Sequence, residues 1–371
     1  MENIINYVLD EKEPFSSKAF RAIDSLVFAQ LAYLNFDGFV PDITQESAPV
    51  LLRQLVSMEN EANLYLNTRD VIKNQRLLHA AAESPRFQNT GINYFVNEID
   101  DSTEKQFSAI TFLMDDGLAY IAYRGTDATF VGWKEDFNMS FSIVVPSQIE
   151  SARYLDQVGK LLNGEFITGG HSKGGNLAVY AAMKCHSDVQ NRVKNIYSLD
   201  GPGFRKELFE SEEYQQIKDR IHQLIPQTAL VGMLLESYEN YVVVKSRKIG
   251  IMQHDPYSWV VKDDDFIYLE QVDNISLYTN KVLDTWLESL SDEKRALFID
   301  TLYNVIRATG AKSFSDLTED WREKFPAALY AIRGLDEVTL KFVIQTIQSL
   351  IRISVRMLHS DIKSRLIEKE Y

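Results

Sequence analysis

Gly170-His171-Ser172-Lys173-Gly174 is the densest piece of chemistry in this 371-residue chain. Glycines two positions before and two after a serine suit a tight strand-to-helix turn that lifts the hydroxyl clear of the backbone. The start of the following helix aims N–H groups and a partial positive charge at the oxyanion formed when such a serine attacks an acyl carbon. The flanks agree with this reading. A short apolar strand is predicted over 165–168, and a helix rich in small residues (Leu177, Ala178, Ala181, Ala182) over 176–185. A glycine-rich turn without chemistry is the plainer alternative. Phosphate binding is disfavoured, because the pattern G-x-x-x-x-G-K-[ST] is absent.

A serine nucleophile needs a base, and the base needs an orienting acid. The chain has six histidines. His186 ends the nucleophile's own helix, His222 begins a predicted strand, and His359 lies on the last helix. His254, in Gln253-His254-Asp255-Pro256, follows a predicted strand at 241–245, so a late loop can bring it over Ser172. The candidate acid is Asp200, which ends the predicted strand 194–199, one helix and one strand after Ser172. Its plainer role is to cap the turn Gly201-Pro202-Gly203. Asp255 adjoins His254 and is poorly placed to bond that imidazole, and Glu236 is a more distant candidate.

The elements that must position these residues follow from periodicity. The first 90 or so residues read as helical, with apolar spacing over 20–34 and 48–66. From Ile92 the period shifts towards two. Three strands are predicted at 92–99, 107–114 and 118–123, the last two joined through Asp115-Asp116-Gly117. A helix over 147–162 leads into the nucleophile strand. Helices and strands then alternate to about Tyr268, which predicts an α/β architecture with a mostly parallel sheet covered on both faces. Residues 228–237 are apolar. A helix packed on the sheet is the expected reading there, an acyl pocket or lid the alternative. Beyond about 274 the strand signal ends, and about four amphipathic helices are expected. The division is therefore residues 1–270 and a C-terminal helical appendage at 271–371.

Tyr123-Arg124-Gly125-Thr126-Asp127, then Gly132-Trp133-Lys134-Glu135-Asp136-Phe137, then Gly170-His171-Ser172-Lys173-Gly174-Gly175-Asn176-Leu177-Ala178 resembles the class-three, fungal-type lipases of the α/β-hydrolase superfamily. A closer resemblance is to the bacterial Mbeg-like family within that superfamily, through Lys173, Asp200-Gly201-Pro202-Gly203-Phe204 and Gln253-His254-Asp255-Pro256. The resemblance covers about residues 20–265. It implies the α/β-hydrolase fold and hydrolase chemistry without naming a substrate. The fold's oxyanion donors would be the backbone N–H groups of Thr126 and Lys173. Arg124 and Asp136 are expected to form a supporting ion pair. The lipase acid does not carry over, since the matching stretch 225–232 holds no carboxylate.

Together these residues predict a serine esterase or lipase-like hydrolase acting on a small or lipid-like acyl ester. A thioesterase or peptidase would share the mechanism. The reading from a different class is a non-catalytic α/β-hydrolase scaffold that binds a partner protein through its helical appendage. Composition narrows the field. With 39 Lys and Arg against 53 Asp and Glu the net charge is −14, which repels nucleic acid. An apolar share of 45% argues for a folded chain. No stretch approaches the roughly 20 apolar residues of a membrane span. The N-terminus lacks the basic start of a signal peptide. Cys185 is the one cysteine, which suits a reducing cytoplasm and leaves no disulfide or Cys-rich metal site. No cofactor or metal is expected. Arg352, Arg356, Lys363 and Arg365 read as the solvated face of the last helix rather than as a membrane-binding surface, and a homodimer, if formed, is expected through the C-terminal helices.

Overall fold

The computed structural model describes residues 2–367, apart from Glu46, Asn67, Asp101, 127–133, 136–137, 140–141, 143, 236–239 and 311–320; the side chains of 275, 321–325, 350 and 354–367 are likewise outside the description. Its centre is a mixed sheet. The strands are β1 (Val50–Leu51), β2 (Gly91–Asp100), β3 (Lys105–Leu113), β4 (Ala119–Tyr123), β5 (Phe166–His171), β6 (Val193–Leu199), β7 (Ile221–Pro226), β8 (Tyr241–Val244) and, on the far edge, β11 (Tyr268–Leu269). They lie in the order β1-β2-β3-β4-β5-β6-β7-β8-β11. Strands β4 to β8 run parallel, whereas β1 to β4 and β8 with β11 pair antiparallel. The expected parallel sheet is thus the central part, with antiparallel edges. A separate two-stranded ribbon joins β9 (Val261–Lys262) and β10 (Asp265–Phe266).

Strand β4 explains why the sheet carries helices on both faces. All five of its residues are buried. Tyr120 and Ala122 enter one apolar cluster, with the helices Ile4–Asp10, Ala22–Leu31 and Val71–Glu83. Ala119, Ile121 and Tyr123 enter the other, with the helices Pro146–Leu161 and Lys173–Lys184. This is the period-two alternation of a strand with no wet side. The N-terminal helices are locked by a buried ion pair. Arg86 Nη2 lies 2.7 Å from Asp24 Oδ2, and the Tyr7 hydroxyl donates to Asp24 Oδ1 at 2.6 Å.

Two elements depart from expectation. Residues 48–66 are not one helix: they form β1, the short helix Leu52–Leu55 and a 3-10 turn at Glu61–Tyr65. Val50 pairs with Ile92 at the sheet edge, and Asn60 turns left-handed at φ 64, so helical spacing gives way to an edge pairing and a turn. The stretch that follows β7 is also not a helix over its described part, 227–235. Its Ala229 is buried with Ile225, Val243 and Val272, and the Gly232 amide is turned onto Asp200 instead of a helical carbonyl.

Helices Asn274–Glu288, Asp292–Ala308, Trp321–Arg333 and Glu337–Ile367 follow the sheet. The first two touch the loops after β4, β6 and β7, and the last two pack on those first two. Asn280 Nδ2 donates to the Ala229 carbonyl at 3.1 Å, Arg205 lies 3.2 Å from Asp292, and Lys134 lies 2.8 Å from Asp300. These loops leave the carboxyl ends of their strands, so the helices Asn274–Glu288 and Asp292–Ala308 lie along that edge of the sheet. Among the described residues no helix is long and apolar enough to cross a membrane.

Candidate active site

Ser172 sits where β5 meets the helix Lys173–Lys184, with φ 59 and ψ −134. A non-glycine residue in that region carries roughly 1–3 kcal/mol of strain, held in place by its surroundings. Here the Ser172 N–H donates to the Leu199 carbonyl of β6 at 2.9 Å, and its carbonyl accepts from Gly175 at 2.9 Å. Glycine is required beside the turn: a Cβ on Gly170 would lie 2.5 Å from both the Gly174 and Tyr123 carbonyl oxygens.

Asp200 ends the neighbouring strand, with its N–H bonded to the Leu224 carbonyl at 2.7 Å. It is fully buried and also left-handed, at φ 49. Its two carboxylate oxygens are divided. Oδ1 accepts from the Gly232 N–H at 2.9 Å, and Oδ2 lies 2.6 Å from His254 Nδ1. That short contact fixes the His254 tautomer with Nδ1 protonated, so Nε2 is the nitrogen left for proton transfer. The Gly201-Pro202-Gly203 turn follows Asp200, but its carboxylate is spent on His254 and Gly232.

His254 ends the 3-10 turn Gly250–His254. Sequence reasoning missed what holds it. Gln253 is buried, with Oε1 accepting from the Thr228 N–H at 2.9 Å and Nε2 donating to Thr228 Oγ1 at 3.0 Å; its carbonyl accepts from Trp259 Nε1 at 3.0 Å. His171, the variable residue of the G-x-S-x-G motif, also holds the loop. Its Nε2 lies 2.9 Å from the His254 carbonyl, a pure acceptor, so Nε2 carries the proton and Nδ1 accepts from the Tyr33 hydroxyl at 3.2 Å. Burial, with His254 alongside, pushes the His171 pKa well below the usual 6.5 and keeps the ring neutral. Gln253 stood in a motif already read; its buried amide pairing with Thr228 had no local signature.

Of the other histidines, His222 bonds Asn195 at 2.8 Å and stacks on Tyr197, and His186 is exposed. The His359 side chain and Glu236 lie outside the described residues. Asp255 bonds Lys248 at 2.7 Å and the Tyr257 N–H at 3.0 Å.

Thr126 and Lys173 are both buried. Gly125 brings the Thr126 turn against the elbow, since a Cβ there would lie 2.5 Å from the His171 carbonyl and 3.2 Å from Ser172 Cβ. Arg124 donates to Asn97 Oδ1 at 3.0 Å; its expected partner Asp136 lies outside the described residues. A buried ion pair nearby joins Lys173 Nζ to Glu135 Oε2 at 2.9 Å. Glu135 belongs to the quoted Trp-Lys-Glu-Asp segment, so its position, though not its partner, was readable. A cavity of about 420 Å³ opens beside this group and is lined by His171 and His254 with Tyr33, Asn74, Met252 and Tyr257.

A family model described as Mbeg1-like matches residues 81–304, which span the elbow, Asp200 and His254. The chain belongs to the Mbeg1-like family. Among solved structures this Mbeg1-like chain is similar to one titled "Crystal structure of M37 lipase", at 15% identity and a TM-score of 0.37, over 58% of this chain and 70% of that one. No curated protein matches the sequence. Cys185, near the end of the nucleophile helix, is buried and its thiol is pushed up to about 12 by that burial, which suits packing rather than chemistry.

Proposed function

We propose that the chain is a serine hydrolase of the α/β-hydrolase fold that cleaves a small or lipid-like acyl ester. The hydrolase part would be residues 1–270, with 271–371 a helical layer. The observation that carries the reading is the 2.6 Å contact between His254 Nδ1 and Asp200 Oδ2, one strand over from a serine held on a left-handed elbow. This is the contact an orienting acid makes with its base in a Ser-His-Asp triad.

The steps follow from the groups. Ser172 Oγ attacks the acyl carbon while His254 Nε2 takes its proton. Asp200 holds the ring and stabilises the imidazolium. The backbone N–H groups of Thr126 and Lys173 receive the negative charge on the carbonyl oxygen. The tetrahedral species collapses, and His254 returns the proton to the departing alcohol. Water, deprotonated by His254, then attacks the acyl-serine, and as that tetrahedral species collapses to the acid His254 returns the proton to the departing Ser172 Oγ. The cavity beside His254 is a natural seat for part of the ester.

The test is covalent labelling. A fluorophosphonate probe should label the wild-type chain at Ser172, and the chain should hydrolyse p-nitrophenyl esters. Ser172→Ala should lose both, with kcat lower by on the order of 10⁴-fold or more. Equal activity in the Ala variant would refute the assignment.

A further inference from the structure

Lys173 is the residue after the nucleophile, and its side chain turns away from the site into the protein. The side chain is 1% exposed, and its ammonium group has three donors for three acceptors: the Gln106 carbonyl at 2.9 Å, Gln106 Oε1 at 3.0 Å and Glu135 Oε2 at 2.9 Å. Glu135 is fully buried and equally engaged. Its Oε2 also accepts from the Gln106 N–H at 3.1 Å, and its Oε1 accepts from the Ser147 N–H at 2.9 Å. One carboxylate therefore joins three places: the start of the nucleophile helix, strand β3, and the first turn of the helix Pro146–Leu161. Between β4 and that last helix runs the segment that begins with Gly125 and Thr126.

A buried ion pair is a poor way to gain stability, since an apolar pair of similar size commonly does as well; its distinctive use is to fix register. We propose that Lys173 and Glu135 are positioning residues whose buried ion pair ties the segment after β4 to the nucleophile helix, and so holds the N–H groups of Thr126 and Lys173 in register as one oxyanion pocket. The proposal rests on the serine-hydrolase reading for its catalytic consequence, but not for its mechanical one. Described contacts lead from the pair to the turn through β3: Lys173 and Glu135 both bond Gln106, and two residues on the Ser108 carbonyl accepts the N–H of Arg124 at 3.0 Å, next to Gly125 and Thr126. An added Cβ on Gly125 would lie 3.2 Å from Ser172 Cβ, so this turn packs against the elbow.

The test compares the full-length wild type with Lys173→Met, Glu135→Gln and the double variant Lys173→Met with Glu135→Leu. The double variant leaves no unpaired buried charge and keeps the test alive if a single variant does not fold. Hydrogen exchange is followed for peptides covering 118–126 and 134–147, alongside kcat and KM for p-nitrophenyl butyrate and fluorophosphonate labelling. The expected result is exchange faster by about tenfold or more around Thr126, with smaller changes elsewhere. It is accompanied by a kcat loss on the order of 10²-fold at nearly constant KM, while Ser172 still labels at long times. Unchanged exchange around Thr126 and unchanged kcat in the folded double variant would overturn the proposal and leave the pair a packing feature. If the wild type hydrolyses no ester and takes no label, the hydrolase reading fails, and the exchange data still decide whether the pair holds the segment.

Discussion

His171 and His254 lie ring against ring, with centroids 4.5 Å apart, and His171 Nε2 bonds the His254 backbone carbonyl at 2.9 Å. The residue before the nucleophile thus anchors the loop that carries the base. One histidine is neutral and structural; the ring of the other is bonded to Asp200, as the proposed proton transfer requires. The anchor acts on the main chain of His254 while Asp200 acts on its ring, so the base is fixed from two directions.

Removing the anchor should loosen the base without touching the reacting groups. His171→Phe keeps the ring stacking and deletes the donor to the His254 carbonyl. We expect a kcat loss of roughly 10–100-fold, the scale of a small misplacement of a catalytic group, with smaller change in KM. His171→Gln, which retains an N–H donor, should recover part of it. Steady-state kinetics with p-nitrophenyl butyrate decide this; equal kcat for wild type and His171→Phe would show that the anchor is dispensable.

The same residue makes stability depend on pH. Burial, then the neighbouring His254, holds the His171 pKa well below 6.5 in the folded chain. The unfolded chain takes up this proton below about pH 6.5 and the folded chain does not. Stability is therefore whole above that pH and falls as pH drops below it, by up to about 1.4 kcal/mol per unit for this group. Urea unfolding at pH 7.5 and 5.5 should show a larger loss for the wild type than for His171→Gln. Parallel loss in the two proteins would refute the assignment of this slope to His171.

Asp200→Asn tests the orienting contact. An amide in place of the carboxylate removes the charge that stabilises the imidazolium, and presents either a neutral acceptor or a donor to His254 Nδ1 across a 2.6 Å contact. The expected kcat loss is on the order of 10⁴-fold near neutral pH. Because Asp200 Oδ1 also holds the Gly232 N–H, a lowered melting temperature should accompany it. A variant that keeps kcat within tenfold would move the role of acid to another carboxylate.

What was legible in the sequence tracks how local its physics is. The elbow is five contiguous residues, and Ser172 stands where its glycines put it. Asp200 and His254 could be nominated because each follows a strand, and strand ends share one edge of a parallel sheet. That the described part of 228–237 is not the expected helix was not legible, because the competitor was a long-range bond: the Gly232 amide serves Asp200, 32 residues away in the chain. Gln253 and the Lys173–Glu135 pair were hidden for the same reason. A buried glutamine, and a lysine that pairs with a glutamate 38 residues earlier, look like ordinary surface residues until the fold brings their partners together.

Gln253→Leu should show how much of the base's position is stored in the core. The substitution deletes the acceptor of the buried Thr228 N–H and one partner of Thr228 Oγ1, which keeps its bond to Asp273 Oδ2 at 2.8 Å. An orphaned buried N–H costs about 1–3 kcal/mol, visible as a lower urea midpoint. The carbonyl of residue 253 still accepts from Trp259, so the loop should stay in place and retain residual activity. An unchanged midpoint would mean that the Thr228 amide finds another acceptor.

Gly125→Ala separates the proposed oxyanion turn from the proposed triad. The added Cβ would meet the His171 carbonyl at 2.5 Å and Ser172 Cβ at 3.2 Å, besides the Tyr33 hydroxyl. Tyr33 can swing aside, but the other two cannot easily retreat. His171 is paired with Leu199 in the sheet, and the Ser172 N–H is bonded to the Leu199 carbonyl. The turn carrying Thr126 must therefore move outward, while Ser172, His254 and Asp200 stay where they are. Loss of one oxyanion donor corresponds to a kcat lower by about 10²–10³-fold, with KM close to that of the wild type. Fluorophosphonate labelling of Ser172 should slow but go to completion. If Gly125→Ala hydrolyses esters at the wild-type rate, the turn yields without displacing a donor, and Thr126 is not part of the oxyanion pocket.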